Sequence, residues 1–192
     1  MSLHRVFAAA LELQAELEIL GRPYCFIGGL ALQRWGEIRF TQDADATVLS
    51  AFEHDEEVVR HLFSRFKSRR PDGPAFALQH RVLLLEATNG VGLDVALGAL
   101  DFEARAIQRA SSWRIPGAQS LRTCSAEDLV VHKAFASRDK DWMDIDGILQ
   151  RQGGSLNTSL IIEELHPLVA LKEDDAILPR LKTLIGRYKD LA

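Results

Sequence analysis

Excess positive charge is missing from this chain: 23 Lys and Arg stand against 27 Asp and Glu, a formal net charge of -4. Broad, sequence-independent grip on nucleic acid needs many cations, so that class is disfavoured, although a local basic patch is not. Cysteine is scarce. Cys25 and Cys124 have neither redox nor metal-ligand spacing and read as buried thiols of a reduced, cytoplasmic protein. No apolar run reaches membrane length, and the apolar stretch at residues 6–11 is soon interrupted by Glu12, Glu16 and Glu18. That pattern predicts an amphipathic helix and argues against a signal peptide or a membrane span. Internal repeats and low-complexity tracts are absent. So are Gly-Lys-Ser/Thr and Gly-x-Gly-x-x-Gly, which excludes a P-loop and a dinucleotide fingerprint.

What is present is a chain of 192 residues, 47% hydrophobic, long enough for one real core with a small annex. Residues 3–20 read as a helix with Val6, Leu11, Ala15 and Leu20 on one face and Gly21 as its stop. Residues 24–28 read as a buried strand ending in a Gly-Gly turn, 30–35 as a short helix, 44–49 as a second strand and 55–67 as a helix. Residues 71–80 read as a turn with a short strand. The runs 82–87 and 93–97 flank Asn89-Gly90, a strong hairpin signal. A short helix over 102–109 and an irregular stretch around Pro116 and Gly117 follow. From Ser125 the pattern is helical. Ser125-Ala-Glu-Asp128 resembles a capping box, and helices are expected over 126–137, 140–151, 158–171 and 174–189, with a break at Gly153-Gly154. The expected fold is α/β (α+β): a small mixed β-sheet core flanked by helices over 1–122, and a helical C-terminal part over 123–192.

The chemistry-bearing block runs from Phe26 to Asp45. Asp43 and Asp45 sit at i and i+2 of a strand, on one face, about 6.5–7 Å apart along the backbone. Their carboxylates can converge on a cation, and hard oxygen donors suit Mg²⁺. Aspartate is disfavoured in strands, so two on one face need a reason; the plain alternative is a half-exposed strand with solvated carboxylates. Gly28-Gly29 lets the backbone approach a ligand, and the helix start behind it offers free N–H groups to a phosphate; the alternative is a tight turn. Asp94 lies among apolar residues in Gly92-Leu-Asp-Val-Ala-Leu97, where a carboxylate is costly without a partner or a metal. Its alternative is an edge position that reaches solvent. Arg65, Lys67, Arg69 and Arg70 form a basic cluster, read as a solvated helix end or a contact for an RNA backbone. His80, His132 and His166 lack ligand spacing, Trp35 and Trp142 read as packing residues, and Trp113 has no clear place.

Taken together, the Gly-Gly turn, the short helix, Asp-x-Asp and a lone strand Asp about fifty residues later resemble the nucleotidyltransferase superfamily (DNA polymerase beta-like). The run GGLALQRWGEIRFTQDAD, with the stretch from Ser125 to Asp146, is similar to the AbiEii-type nucleotidyltransferases, toxins of abortive-infection and toxin–antitoxin systems. The resemblance covers residues 20–150. It implies that Asp43, Asp45 and Asp94 are catalytic and hold Mg²⁺ or Mn²⁺, with Asp94 also a base for the acceptor hydroxyl. It implies that Gly28, Gly29 and Lys133 contact the NTP phosphates, that Arg39 and Thr41 support the nucleotide loop, and that Arg138, Lys140 and Asp141 belong to a later motif. Many relatives carry Gly-Ser where this chain has Gly28-Gly29, so no hydroxyl is available at position 29. The acceptor implied is an RNA end of tRNA type in a toxin-like role, with an antitoxin partner resting on the resemblance alone. A small molecule such as an antibiotic is the alternative acceptor, and a non-catalytic nucleotide-binding domain the alternative of another class.

Overall fold

A computed structural model describes residues 3–115 and 119–188. It divides into two compact units, one of residues 1–30 and 40–124, the other of residues 31–39 and 125–192.

The first unit is built on a seven-stranded sheet. Its strands are β1 (Tyr24–Phe26), β2 (Asp43–Leu49), β3 (Lys67–Ser68), β4 (Val82–Glu86), β5 (Gly92–Gly98), β6 (Ser111–Arg114) and β7 (Ser120–Thr123). Their order across the sheet is β3-β4-β5-β2-β1-β7-β6. β2 runs parallel to β5 and β1 parallel to β7; the other neighbours are antiparallel, so the sheet is mixed. The Asn89-Gly90 hairpin forms as expected, with Gly90 at φ +78° and Ala87 donating to the Val91 carbonyl.

Helix α1 (Leu3–Leu20) packs on β2, β5 and β7, with α3 (Asp55–Arg65) beside it. Its buried stripe is Val6, Ala9, Ala10, Leu13 and Leu17. Of the expected face, Val6 lies in this stripe and Leu11 and Leu20 pack against the core, whereas Ala15 is exposed. Val58 and Leu62 of α3 join Ala44, Ala46, Val48, Leu83, Leu93 and Val95 in the same core. Each such Val or Leu side chain contributes roughly 2 kcal/mol by leaving water.

Residues 71–80, expected as a turn and strand, form helix α4 (Gly73–His80). Pro74 stands in its first turn, where the missing N–H costs nothing, and Arg81 closes it in the left-handed conformation. The irregular stretch after α5 (Asp101–Arg109) is a strand pair, β6 with β7; Pro116 and Gly117 lie outside the described residues. Trp113 packs edge-on against Phe7 at 5.4 Å. Cys25 and Cys124 are buried and form no disulfide with one another, as expected.

Helix α2 (Gly28–Trp35) begins two residues earlier than the sequence suggests, so both glycines belong to its first turn. Its last residues belong to the second unit, with α6 (Ala126–Ala136), α7 (Asp139–Gln152), α8 (Thr158–Lys172) and α9 (Ile177–Gly186). Ser125 caps α6, its hydroxyl accepting from the Asp128 N–H at 3.0 Å. Segment 31–39 is stitched to α7. Arg151 donates to the Gly36 carbonyl at 2.6 Å, Gln152 to that of Trp35 at 2.7 Å, and Arg39 bonds Asp144. No helix among the described residues is long and apolar enough to cross a membrane.

Candidate active site

The polar face of the sheet in the first unit follows from strand alternation. In β2 the residues Ala44, Ala46 and Val48 are buried in the core while Asp43 and Asp45 are half-buried on the opposite face. β5 alternates in the same way and puts Gly92, Asp94 and Ala96 on that face. The two strands are in register, Asp45 opposite Asp94 and Asp43 opposite Gly92. Adjacent strands lie about 4.8 Å apart, so three carboxylates share one small area of sheet.

Helix α2 starts at the edge of that area. Gly28 has φ +59°, and a Cβ there would come within 2.8 Å of the Asp45 Cβ and closer still to its carboxylate. Only glycine admits both that conformation and that approach. The Gly29 N–H donates to Asp45 Oδ2 at 3.3 Å, so a carboxylate lies against the positive end of the helix. A Cβ at Gly29 would sit 2.9 Å from the Thr41 Cβ, with the Thr41 hydroxyl nearer. The Thr41 hydroxyl therefore lies beside position 29. Thr41 is buried, and its hydroxyl donates to the Asp43 carbonyl at 3.2 Å.

Asp94 carries an ion pair with Arg69. Arg69 follows β3, and its N–H donates to the Leu84 carbonyl at 2.9 Å. Leu84 faces Asp94 and Asp94 faces Asp45, so one row crosses the sheet from Arg69 to Asp45. The next row is Lys67, Glu86, Gly92 and Asp43. Gly92 leaves a gap there, and the guanidinium lies over it: a Cβ on Gly92 would be 3.0 Å from Arg69 Nη1 and 3.5 Å from the Asp43 Cβ.

The donor set fits a divalent cation. Carboxylate oxygens from neighbouring strands are hard ligands, and the Gly28 and Gly92 gaps keep bulk away from them. As the side chains stand, Asp94 is turned to Arg69 and Asp45 to α2. Among the described residues no three His, Cys, Asp or Glu side chains already converge as ligands.

The remaining predicted residues lie in the second unit. Lys133 is buried, and its ammonium donates to Asp144 at 2.7 Å and Asp141 at 3.2 Å. Here it neutralises two buried acids, where the resemblance implies a triphosphate contact. Arg39 forms a two-pronged bond with Asp144, Nε to Oδ1 at 2.8 Å and Nη2 to Oδ2 at 2.9 Å. Gln33 fixes the Arg39 carbonyl at 2.6 Å. Arg138 bonds Asp141 at 2.6 Å, and Asp141 in turn accepts from the Arg138 N–H at the start of α7. Lys140 is exposed. Burial alone would raise the carboxyls of Asp141 and Asp144; the bonds from Arg138, Arg39 and Lys133 outweigh it and hold both below the usual carboxylate range. A groove of about 660 Å³ in this unit is lined by residues that include Trp142, Met143, Asp146 and Arg180, and contains none of the predicted site residues.

The basic cluster is not a bare patch. Arg65 meets Glu16, Lys67 meets Glu86, Arg69 meets Asp94 and Arg70 meets Asp72. The sequence shows four cations close together; Asp72 answers Arg70 from two positions away, and the acids that answer the other three come from other elements.

A mixed sheet that presents carboxylates from two adjacent parallel strands beside a glycine-led helix start is a nucleotidyltransferase architecture. The chain belongs to a family of nucleotidyltransferases of unknown function, DUF6036, whose model matches residues 1–172. It is therefore a transferase of nucleotidyl groups. No curated protein matches it. Among solved structures it is similar to antibiotic-resistance factor ANT(2'')-Ia, with 19% identity, 95% of this chain and 99% of that one covered, and a TM-score of 0.51. It is also similar to an antigenic nucleotidyltransferase-like protein from Paracoccidioides brasiliensis, with 18% identity, 91% of each chain covered and a TM-score of 0.48. At these identities the likeness is one of fold.

Proposed function

We propose that this nucleotidyltransferase moves an NMP group from an NTP to the hydroxyl of an RNA end, using Asp43, Asp45 and Asp94 with Mg²⁺ or Mn²⁺. The observation that carries the reading is the register of β2 and β5, which sets Asp45 beside Asp94 on the face that also holds Asp43. Bound to these carboxylates, a divalent ion supplies Lewis-acid polarisation of the phosphoryl oxygens and orients the acceptor oxygen. The chain's own groups do the rest. The first turn of α2 offers N–H donors to phosphate, and Gly28 and Gly29 keep side chains out of the way. Thr41 presents its hydroxyl at the same turn. Asp94 is the base that takes the acceptor proton on a carboxylate oxygen. Lys133, Asp141, Asp144 and Arg39 bond one another within the second unit, so their part there is structural.

The RNA acceptor and an antitoxin partner rest on the AbiEii-type resemblance. A second reading, a small-molecule acceptor, is favoured by one observation: each cation of the basic cluster already faces an acid, which leaves that stretch little charge for a phosphate backbone. The test is incubation of the protein with each labelled NTP, Mg²⁺ and total cellular RNA, with Asp43→Ala as control. Label in an RNA band only with the intact protein supports the first reading. Label in small molecules alone supports the second, and no Asp43-dependent transfer to either pool overturns both.

A further inference from the structure

The row from Arg69 to Asp45 contains a cation that no reading of the reaction uses. Arg69 sits at the end of an edge strand of two residues, and its side chain spans Leu84 to reach Asp94. The pair is about one-third exposed at each end, 33% for Arg69 and 31% for Asp94, so it is neither locked in the core nor free in water. A guanidinium over Gly92, bonded to Asp94 and beside Asp43, stands where a cation shared by those two carboxylates would stand. The opposite half of the site shows the mirror arrangement, with the Asp45 carboxylate against the Gly29 N–H at the start of α2. Each half thus meets a group of the chain whose charge matches that of a substrate component, a cation at Asp94 and an anion at α2.

We infer that Arg69 is an exchangeable counter-ion: it neutralises Asp94 in the ligand-free protein, yields that carboxylate to a divalent ion, and then turns its fork onto a phosphate of the bound nucleotide. The inference rests on the reading of Asp43, Asp45 and Asp94 as metal ligands. Two features support it physically. Carboxylates crowded on one face repel, so a resident cation keeps the site formed when no metal is present. An arginine is also built for a second partner, since its planar donors match phosphate oxygens as well as carboxylate. Gly92 is what lets the side chain lie flat over the sheet between the two positions.

The experiment is Mn²⁺ binding followed by electron paramagnetic resonance on the full chain, with Arg69→Met, Arg69→Gln and Asp43→Asn. The second measurement is affinity for a non-hydrolysable NTP analogue at saturating Mn²⁺. Without its internal competitor, Arg69→Met should bind Mn²⁺ about fivefold more tightly than the parent chain. It should also bind the nucleotide analogue about tenfold more weakly. Arg69→Gln, which keeps a polar head without the charge, should show the same split and guards against a packing defect in the Met variant. Unchanged or weaker Mn²⁺ binding in both Arg69 variants, with binding lost in Asp43→Asn, would overturn the counter-ion role and leave the metal site standing. Mn²⁺ binding that ignores Asp43→Asn would overturn the metal site itself, and the exchange with it.

Discussion

Replacing Lys133 by Met separates a structural role from a phosphate-binding one. Lys133 has 6% of its side chain exposed, and its acids Asp141 and Asp144 have 0% and 5%. Removing one partner of a buried ion pair costs about 3–5 kcal/mol because a charge is left behind without compensation. Here each acid keeps an arginine, Arg138 for Asp141 and Arg39 for Asp144. Those guanidiniums are 60% and 37% exposed, so they screen only in part. The lower end of the range, about 3 kcal/mol, is therefore expected. For a chain of this size that lowers the melting temperature by about 6–12 °C. The assay is thermal and urea unfolding of Lys133→Met, Asp144→Asn and the double variant. Because Asp144→Asn removes the charge that Lys133 answers, the double variant should lose less than the sum of the single ones. An unchanged melting temperature in Lys133→Met, together with a raised KM for NTP, would refute this reasoning and return Lys133 to the triphosphate.

Three further outcomes follow from the same geometry. Burial lowers the His132 imidazole to about 4, with Asp128 opposing and Lys133 assisting the shift. Its contribution is complete above the ordinary value near 6.5. As pH falls toward 4, the unfolded chain takes a proton that the native fold refuses, so about 3 kcal/mol should be lost, and His132→Gln should flatten that limb of a melting-temperature profile. The depressed carboxyls of Asp141 and Asp144 continue the loss at lower pH, as they are protonated. Gly28→Ala must place a Cβ against Asp45 at φ +59°; nucleotidyl transfer should drop by about a hundredfold or more, with about 1–2 kcal/mol of stability lost to the left-handed conformation. Normal turnover by this variant would show that α2 does not border the reacting groups. Ser125→Ala should cost about 1 kcal/mol by uncapping α6, read as a lower urea midpoint with transfer per folded molecule unchanged.

The parts of the fold legible in the sequence are those written locally. The hairpin at Asn89-Gly90, the serine cap at α6 and the alternation that turns Asp43 and Asp45 away from Ala44 and Ala46 each depend on a few adjacent residues. Strands β3, β6 and β7 were not legible, because Lys67–Ser68, Ser111–Arg114 and Ser120–Thr123 are short and largely polar. Their pairing comes from neighbours supplied elsewhere in the chain. Helix α4 was hidden by Gly73 and Pro74, which signal a turn and here start a helix. Of the α1 face read from the sequence, only Ala15 turns to solvent, a small apolar side chain that is cheap to expose. In the candidate site, the residue types were legible and the partners were not. Arg69 reaches Asp94 across 25 positions, and Arg39 reaches Asp144 across 105, by register and helix packing that no short motif encodes.

The second unit is discontinuous in the chain, and this gives the protein a history as well as a shape. Segment 31–39 leaves the ribosome early, whereas the α7 residues that bind it come more than a hundred positions later. At about 5–20 residues per second, Arg39 waits on the order of 5–20 s for Asp144. The sheet strands β2 to β7 are made during that interval, so the carboxylate face can form while the loop leading into it still lacks its anchor. Segment 31–39 therefore gains its anchor only once α7 has been made, long after the segment itself.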